Sequence, residues 1–186
     1  MAKVYIVHGY TASADKHWFP WLEQELAKIG VECYRLNMPD SSNPNPDKWL
    51  RHLEGHITID DETIVVGHSL GCIAWLNFLA RNFLKPKAAI FVSGFYQPLD
   101  TIPELSSFSN SYAVAPSCLA FKSYVVAALD DTVVPHPYSD ELAKHLKADY
   151  IRLPSGGHFL DRDRARSHLS QIYDLIHLNY SYQIRL

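Results

Sequence analysis

Three residues of this sequence have the types and the order that nucleophilic acyl chemistry requires: Ser69, Asp131 and His158. A serine hydroxyl is a weak nucleophile. It needs a base to take its proton, and the base needs an acid to orient it. Ser69 stands in Val65-Val66-Gly67-His68-Ser69-Leu70-Gly71. A G-x-S-x-G pattern becomes a nucleophile elbow when a strand enters it and a helix leaves it, because the sharp turn lifts the hydroxyl clear of the sheet. Both flanks are expected here. Thr63 to Val66 is β-branched and apolar apart from one hydroxyl, and Cys72 to Leu79 is apolar enough for a buried helix. Gly67 and Gly71 carry no side chain to block the turn or the strand–helix crossing.

The partners follow in the order serine, acid, histidine, each on a loop after a later strand. Leu129-Asp130-Asp131-Thr132-Val133-Val134-Pro135 supplies two adjacent carboxylates. The D-x-x-V-P spacing selects Asp131, and Asp130 is read as a turn or surface carboxylate. Ser155-Gly156-Gly157-His158-Phe159 supplies the base, behind residues small enough to let its ring swing back towards Ser69. An oxyanion hole is expected from the backbone N–H of Leu70 and from the loop after the first strand, at Tyr10 first and Thr11 next. Thr11, Phe95, Tyr96 and Phe159, with Tyr10, follow strand C-termini and are candidates to line a substrate pocket, with plain packing as the alternative.

The other histidines carry less. His68 inside the elbow is read as packing and His8 as shaping its loop. His52 and His56 are four apart, but Gly55 intervenes and no third ligand is in register, so they are read as surface residues. No metal and no cofactor are expected. The G-x-G-x-x-G and G-x-x-x-x-G-K-[ST] patterns of nucleotide enzymes do not occur.

These residues need a frame. Apolar runs at Lys3–Val7, Val31–Leu36, Thr63–Val66, Ala88–Val92, Tyr124–Leu129 and Tyr150–Leu153 alternate with helical patterns at Trp18–Ile29, Asn45–Leu53, Cys72–Phe83, Tyr138–Leu146 and Asp161–Leu178. Continuous rather than alternating strands, separated by helices, imply a parallel sheet covered on both faces. The expectation is an α/β, three-layer αβα sandwich of about six parallel strands in a single domain, residues 1–186. Right-handed crossovers then place every strand C-terminus along one edge. Phe95 to Phe121 has no clear period and is expected to form a small lid over the elbow.

Composition fits that frame. Apolar residues are 47 %, charged residues 20 %, and net charge is −3. Nothing there favours nucleic acid or an acidic membrane as partner. No apolar run reaches membrane-spanning length, and no signal peptide is evident at the N-terminus. The cysteines, Cys33, Cys72 and Cys118, have no metal-type spacing and read as reduced thiols of a cytoplasmic protein.

Taken together, Ile6-Val7-His8-Gly9-Tyr10, Trp18-Phe19-Pro20-Trp21-Leu22, Leu36-Asn37-Met38-Pro39-Asp40, the elbow, Asp130 to Pro135 and Gly156-Gly157-His158-Phe159 resemble the α/β-hydrolase superfamily. Within it the chain resembles the small YdeN/retinoblastoma-binding-protein-like serine hydrolases, over nearly its whole length. The Asn-Met-Pro-Asp segment is more diagnostic of that subgroup than the elbow. The resemblance implies a minimal hydrolase fold without the leading antiparallel hairpin, with little or no cap, and a reactive serine. Vertebrate members bind a pocket protein through an L-x-C-x-E segment; this sequence has none, so that partner is not carried over. The expected activity is hydrolysis of a small acyl ester or related acyl compound. Thioester or peptide cleavage by the same mechanism, and a regulatory protein-binding module on a hydrolase frame, are the alternatives.

Overall fold

The structure is a computed structural model, and it describes residues 2–112, 119–163 and 169–181. Cys118 therefore lies outside the described residues, as does part of the Phe95–Phe121 stretch. Six strands run in the order β1 (Lys3–Val7), β2 (Glu32–Leu36), β3 (Thr63–His68), β4 (Ala88–Val92), β5 (Lys122–Ala128) and β6 (Asp149–Leu153). Among the described residues six helices accompany them: α1 (Phe19–Lys28), α2 (Pro46–His56), α3 (Leu70–Arg81), α4 (Ser106–Ser111), α5 (His136–Leu146) and α6 (Ser170–Ser181). Every strand pairs parallel to its neighbours in one sheet, ordered β2-β1-β3-β4-β5-β6.

Alternate strand residues feed two cores. Val7, Val65, Phe91 and Val125 pack with Trp49 and Leu53 of α2, the buried residues of α3, and Leu142 of α5. Ile6, Val66, Ile90 and Val126 pack with Phe19 and Leu22 of α1 and Ile172 and Ile176 of α6. The period-two alternation of a strand thus explains why one residue run supports a helix layer on each face. Helix α3 is buried along Leu70–Ala80, which is why its sequence lacks the polar stripe of a surface helix.

The segment after β4, expected to form a lid, holds a short helix among its described residues. Pro103–Leu105 makes one 3-10 turn and runs into α4. Phe108 of α4 meets Trp49 edge-on at 5.3 Å between ring centroids. Asn77 of α3 donates to the Ser111 hydroxyl at 3.1 Å. Within the described part of the segment, α4 extends the helix layer, while Ile102, just before the 3-10 turn, lines the cavity that holds Ser69. The last helix also begins later than Asp161. Asp163 folds back to accept the Leu160 N–H at 3.0 Å, and Asp161 accepts the His17 N–H at 3.2 Å. A local turn closed by Asp163 and a long-range bond from Asp161 to the His17 loop hold these residues out of a helix.

Among the described residues, no helix is long and apolar enough to cross a membrane.

Candidate active site

The sheet order changes direction between β1 and β3, since β1 turns outward to β2 and β3 leads on to β4. The crevice beyond the C-terminal ends of those two strands is where an open α/β sheet gathers a site. Gly9 follows β1 there and Ser69 follows β3. A Cβ on Gly9 would stand 2.9 Å from the Ser69 Cβ, so only glycine lets the two loops approach this closely. At Gly71 a Cβ would overlap the Val7 carbonyl oxygen, which ties the start of α3 to the end of β1.

Ser69 has φ 54° and ψ −120°, a backbone conformation that side-chain-bearing residues rarely adopt. It is held there by its own N–H donating to the Val92 carbonyl at 2.9 Å and by its carbonyl accepting the Cys72 N–H at 3.0 Å. The strain belongs to the turn between β3 and α3 that presents the hydroxyl. Leu70 opens α3, so its N–H is one of the donors a helix start leaves without an internal acceptor.

His158 comes from the loop after β6. Its Nδ1 is 2.8 Å from Asp131 Oδ2, with both side chains buried. A carboxylate only accepts, so Nδ1 carries the proton and the Nε2 lone pair is left free. Asp131 is saturated. Its Oδ1 accepts the N–H groups of Val133 (2.9 Å) and Val134 (3.0 Å), and its Oδ2 also accepts the Ser93 hydroxyl at 2.8 Å. Four donors on one buried carboxylate fix its orientation. Asp130 does something else. Its Oδ1 accepts the N–H groups of Gly156 (2.9 Å) and Gly157 (2.8 Å), bracing the loop that carries His158.

Ser69 and His158 line one cavity of about 340 Å³, with Gly9, Tyr10 and Thr11 on one wall and Ile102, Val133 and Leu160 among the apolar lining. Its charged side chains, Lys16, Asp161 and Arg162, lie at the exposed mouth. The described residues contain no group of three or more histidine, cysteine, aspartate or glutamate side chains placed to hold a metal ion.

A profile of the serine hydrolase family matches residues 4–177. The chain belongs to that family. It is 36 % identical over 188 residues to YdeN of Bacillus subtilis (strain 168), a protein named provisionally as a hydrolase, with 98 % of each chain covered. The crystal structure of the ydeN gene product from B. subtilis superposes with a TM-score of 0.92 at 35 % identity, covering 97 % of this chain and 100 % of that one. Serine hydrolase RBBP9 of Rattus norvegicus is 30 % identical over 155 residues, 78 % of this chain and 80 % of that protein. Est1E from Butyrivibrio proteoclasticus, solved with ferulic acid bound, shares the fold at a TM-score of 0.73 and 16 % identity, over 100 % of this chain and 90 % of that one.

Within this serine hydrolase fold the sequence-derived candidates separate. Ser69, Asp131, His158, Tyr10 and Thr11 come together at one edge. Phe95 and Phe159 do not line the cavity; both are buried in the two cores, because each closes a strand end against a helix layer. Tyr96 points away as well, stacking on His145 at 4.3 Å. The Thr11 N–H is committed to the Ser41 carbonyl at 2.9 Å, which removes it as an oxyanion donor. Tyr10 has no such acceptor among the described residues.

Several contributors escaped the sequence reading. Ser93 sits at φ 47° directly after β4, a position marked in the sequence only as a strand-ending Ser-Gly. His8 accepts the Met38 N–H on Nε2 at 2.9 Å and has Nδ1 2.8 Å from the Gly9 carbonyl, so it is the neutral Nδ1–H tautomer. Burial pushes its pKa down. Through it the Asn-Met-Pro-Asp segment braces the loop that holds Gly9 and Tyr10. His17, at φ 60°, joins the site from the loop before α1, accepting the Asp161 N–H at 3.3 Å while its own N–H donates to Asp161.

Proposed function

We propose that the protein hydrolyses small acyl esters through an acyl-enzyme on Ser69. His158 Nε2 takes the hydroxyl proton as Oγ bonds to the substrate carbonyl carbon. The oxyanion that forms is met by the N–H groups of Leu70 and Tyr10. Collapse breaks the bond to the leaving oxygen, which receives the proton from His158. Water then repeats the sequence: it gives a proton to His158, attacks the acyl carbon, and Ser69 leaves with that proton restored. Asp131 holds the imidazole in the Nδ1–H tautomer and stabilises the imidazolium without taking the proton.

The observation that carries this reading is the saturated Asp131–His158 pair at 2.8 Å, whose histidine stands on the wall of the cavity that also holds the strained Ser69. A cavity of about 340 Å³ lies at the small end of ligand sites and fits a short acyl group. The free thiols of Cys33 and Cys72 fit a reducing compartment such as the cytoplasm.

The test is turnover of p-nitrophenyl esters of graded acyl length. Short chains are expected to be preferred, with Ser69→Ala reducing kcat to background. Undiminished turnover by Ser69→Ala would end this assignment.

A further inference from the structure

His68 does more than fill space inside the elbow. Its Nε2 lies 2.9 Å from the carbonyl oxygen of His158, across 90 residues of chain. A carbonyl only accepts, so Nε2 carries the proton and Nδ1 is a bare lone pair. That Nδ1 is buried with no hydrogen-bond partner among the described residues. The ring is caged by His17 at 5.6 Å, Phe19 at 5.8 Å and Trp18 at 6.1 Å, and lies 4.9 Å from the His158 ring. An apolar ring would fill this cage without leaving a nitrogen unpaired, so packing alone does not account for an imidazole here.

We propose that His68 is a positioning residue, which fixes the base by donating a hydrogen bond to the backbone of His158. The inference rests on the triad reading above. His68 immediately precedes Ser69, so one side chain couples the strand that presents the nucleophile to the loop that presents the base. Asp130 braces the same loop from its outer side through Gly156 and Gly157, and Asp131 holds the ring through Nδ1. His68 is the contact that reaches His158 from the elbow.

The device requires a neutral His68. Burial, with His158, His17 and His8 as its titratable neighbours, pushes its pKa well below the usual histidine value. A cation here would repel the imidazolium that forms on His158 during catalysis.

Two substitutions separate positioning from packing. His68→Leu keeps an apolar side chain and removes the donor. His68→Gln keeps an N–H donor at about the reach of Nε2. For short p-nitrophenyl esters, His68→Leu is expected to lower kcat roughly ten- to a hundredfold with KM within about twofold, as expected for a misaligned general base. The acid limb of its kcat/KM profile is expected to move, and His68→Gln to recover most of the rate. Wild-type rates in both variants, or equal losses in both with KM rising in step, would overturn the proposal. Should His68→Leu not fold, the imidazole ¹⁵N shifts of the wild-type protein decide. They are expected to report a neutral Nε2–H tautomer at His68 from pH 5 to 8, and titration of that ring in this range would contradict it. Covalent labelling of wild-type Ser69 by a fluorophosphonate separates the two readings. Its absence means that the hydrolase reading has failed, whereas its presence with unaffected His68 variants means that only the positioning role has.

Discussion

At the residue scale, two adjacent carboxylates have divided the work between the base and the loop that holds it. Asp131 binds the His158 ring, and Asp130 binds the backbone just before it. Their substitutions should therefore differ in kind. Asp131→Asn is expected to lower kcat by about 10⁴-fold with little change in KM, because an amide in place of the carboxylate favours the wrong imidazole tautomer. Asp130→Ala is expected to cost about 1 kcal/mol of stability through the lost acceptor for the Gly156 and Gly157 N–H groups, with a far smaller effect on rate. Steady-state kinetics and urea unfolding on the two variants check this, and matching losses of rate would contradict it. The spacing to Val134-Pro135 was enough to choose between the pair from sequence, because Asp131 must lie where the Val133 and Val134 N–H groups can reach it. Ser93 could not be chosen that way. A serine after a strand is common, and only the fold shows its hydroxyl aimed at Asp131 from a neighbouring strand.

At the element scale, the site depends on how closely α3 and the β1 loop approach each other. Gly71→Ala would drive a methyl group into the Val7 carbonyl, where neither partner can yield without moving a strand or a helix. Overpacking of a rigid contact costs typically 1–3 kcal/mol, and backbone contacts lie at the upper end. The expected result is a lower urea midpoint together with loss of hydrolase activity, and an unchanged midpoint would show that the crossing is looser than described. The four inner strands were legible because their apolar runs are nearly continuous, and β1 and β4 match the sequence expectation at both ends. The stretch after β4 was not. α4 (Ser106–Ser111) is one short helix rich in serine, and its place is set by Phe108 against Trp49, a contact that no local period announces. Phe95 and Phe159 misled for a related reason. A strand's C-terminal end lies at once near the site and over a core, and the sequence does not say which way the ring turns.

At the scale of the whole molecule, the fold buries histidines in their neutral form. Burial lowers the pKa of His8, His17 and His68 from the usual 6.5. The unfolded chain therefore binds more protons than the folded one once pH drops below about 6.5, and stability rises with pH through that window. The full contribution is present above pH 6.5 and is lost progressively as pH falls towards the depressed folded values. The urea midpoint is expected to be lower at pH 5.5 than at pH 7.5, and His68→Gln to weaken that dependence; a midpoint independent of pH across this range would contradict the neutral burial of these rings. At the site itself, the carboxyl group that meets the base, Asp131, is already saturated by four donors. Ser69 Oγ is proposed to become reactive because Asp131 and His158 meet it at the sheet edge. Peptide mapping by mass spectrometry after treatment with a fluorophosphonate tests it most directly. One adduct is expected, on Ser69, forming more slowly in Asp131→Asn; an adduct elsewhere, or none, would contradict the account.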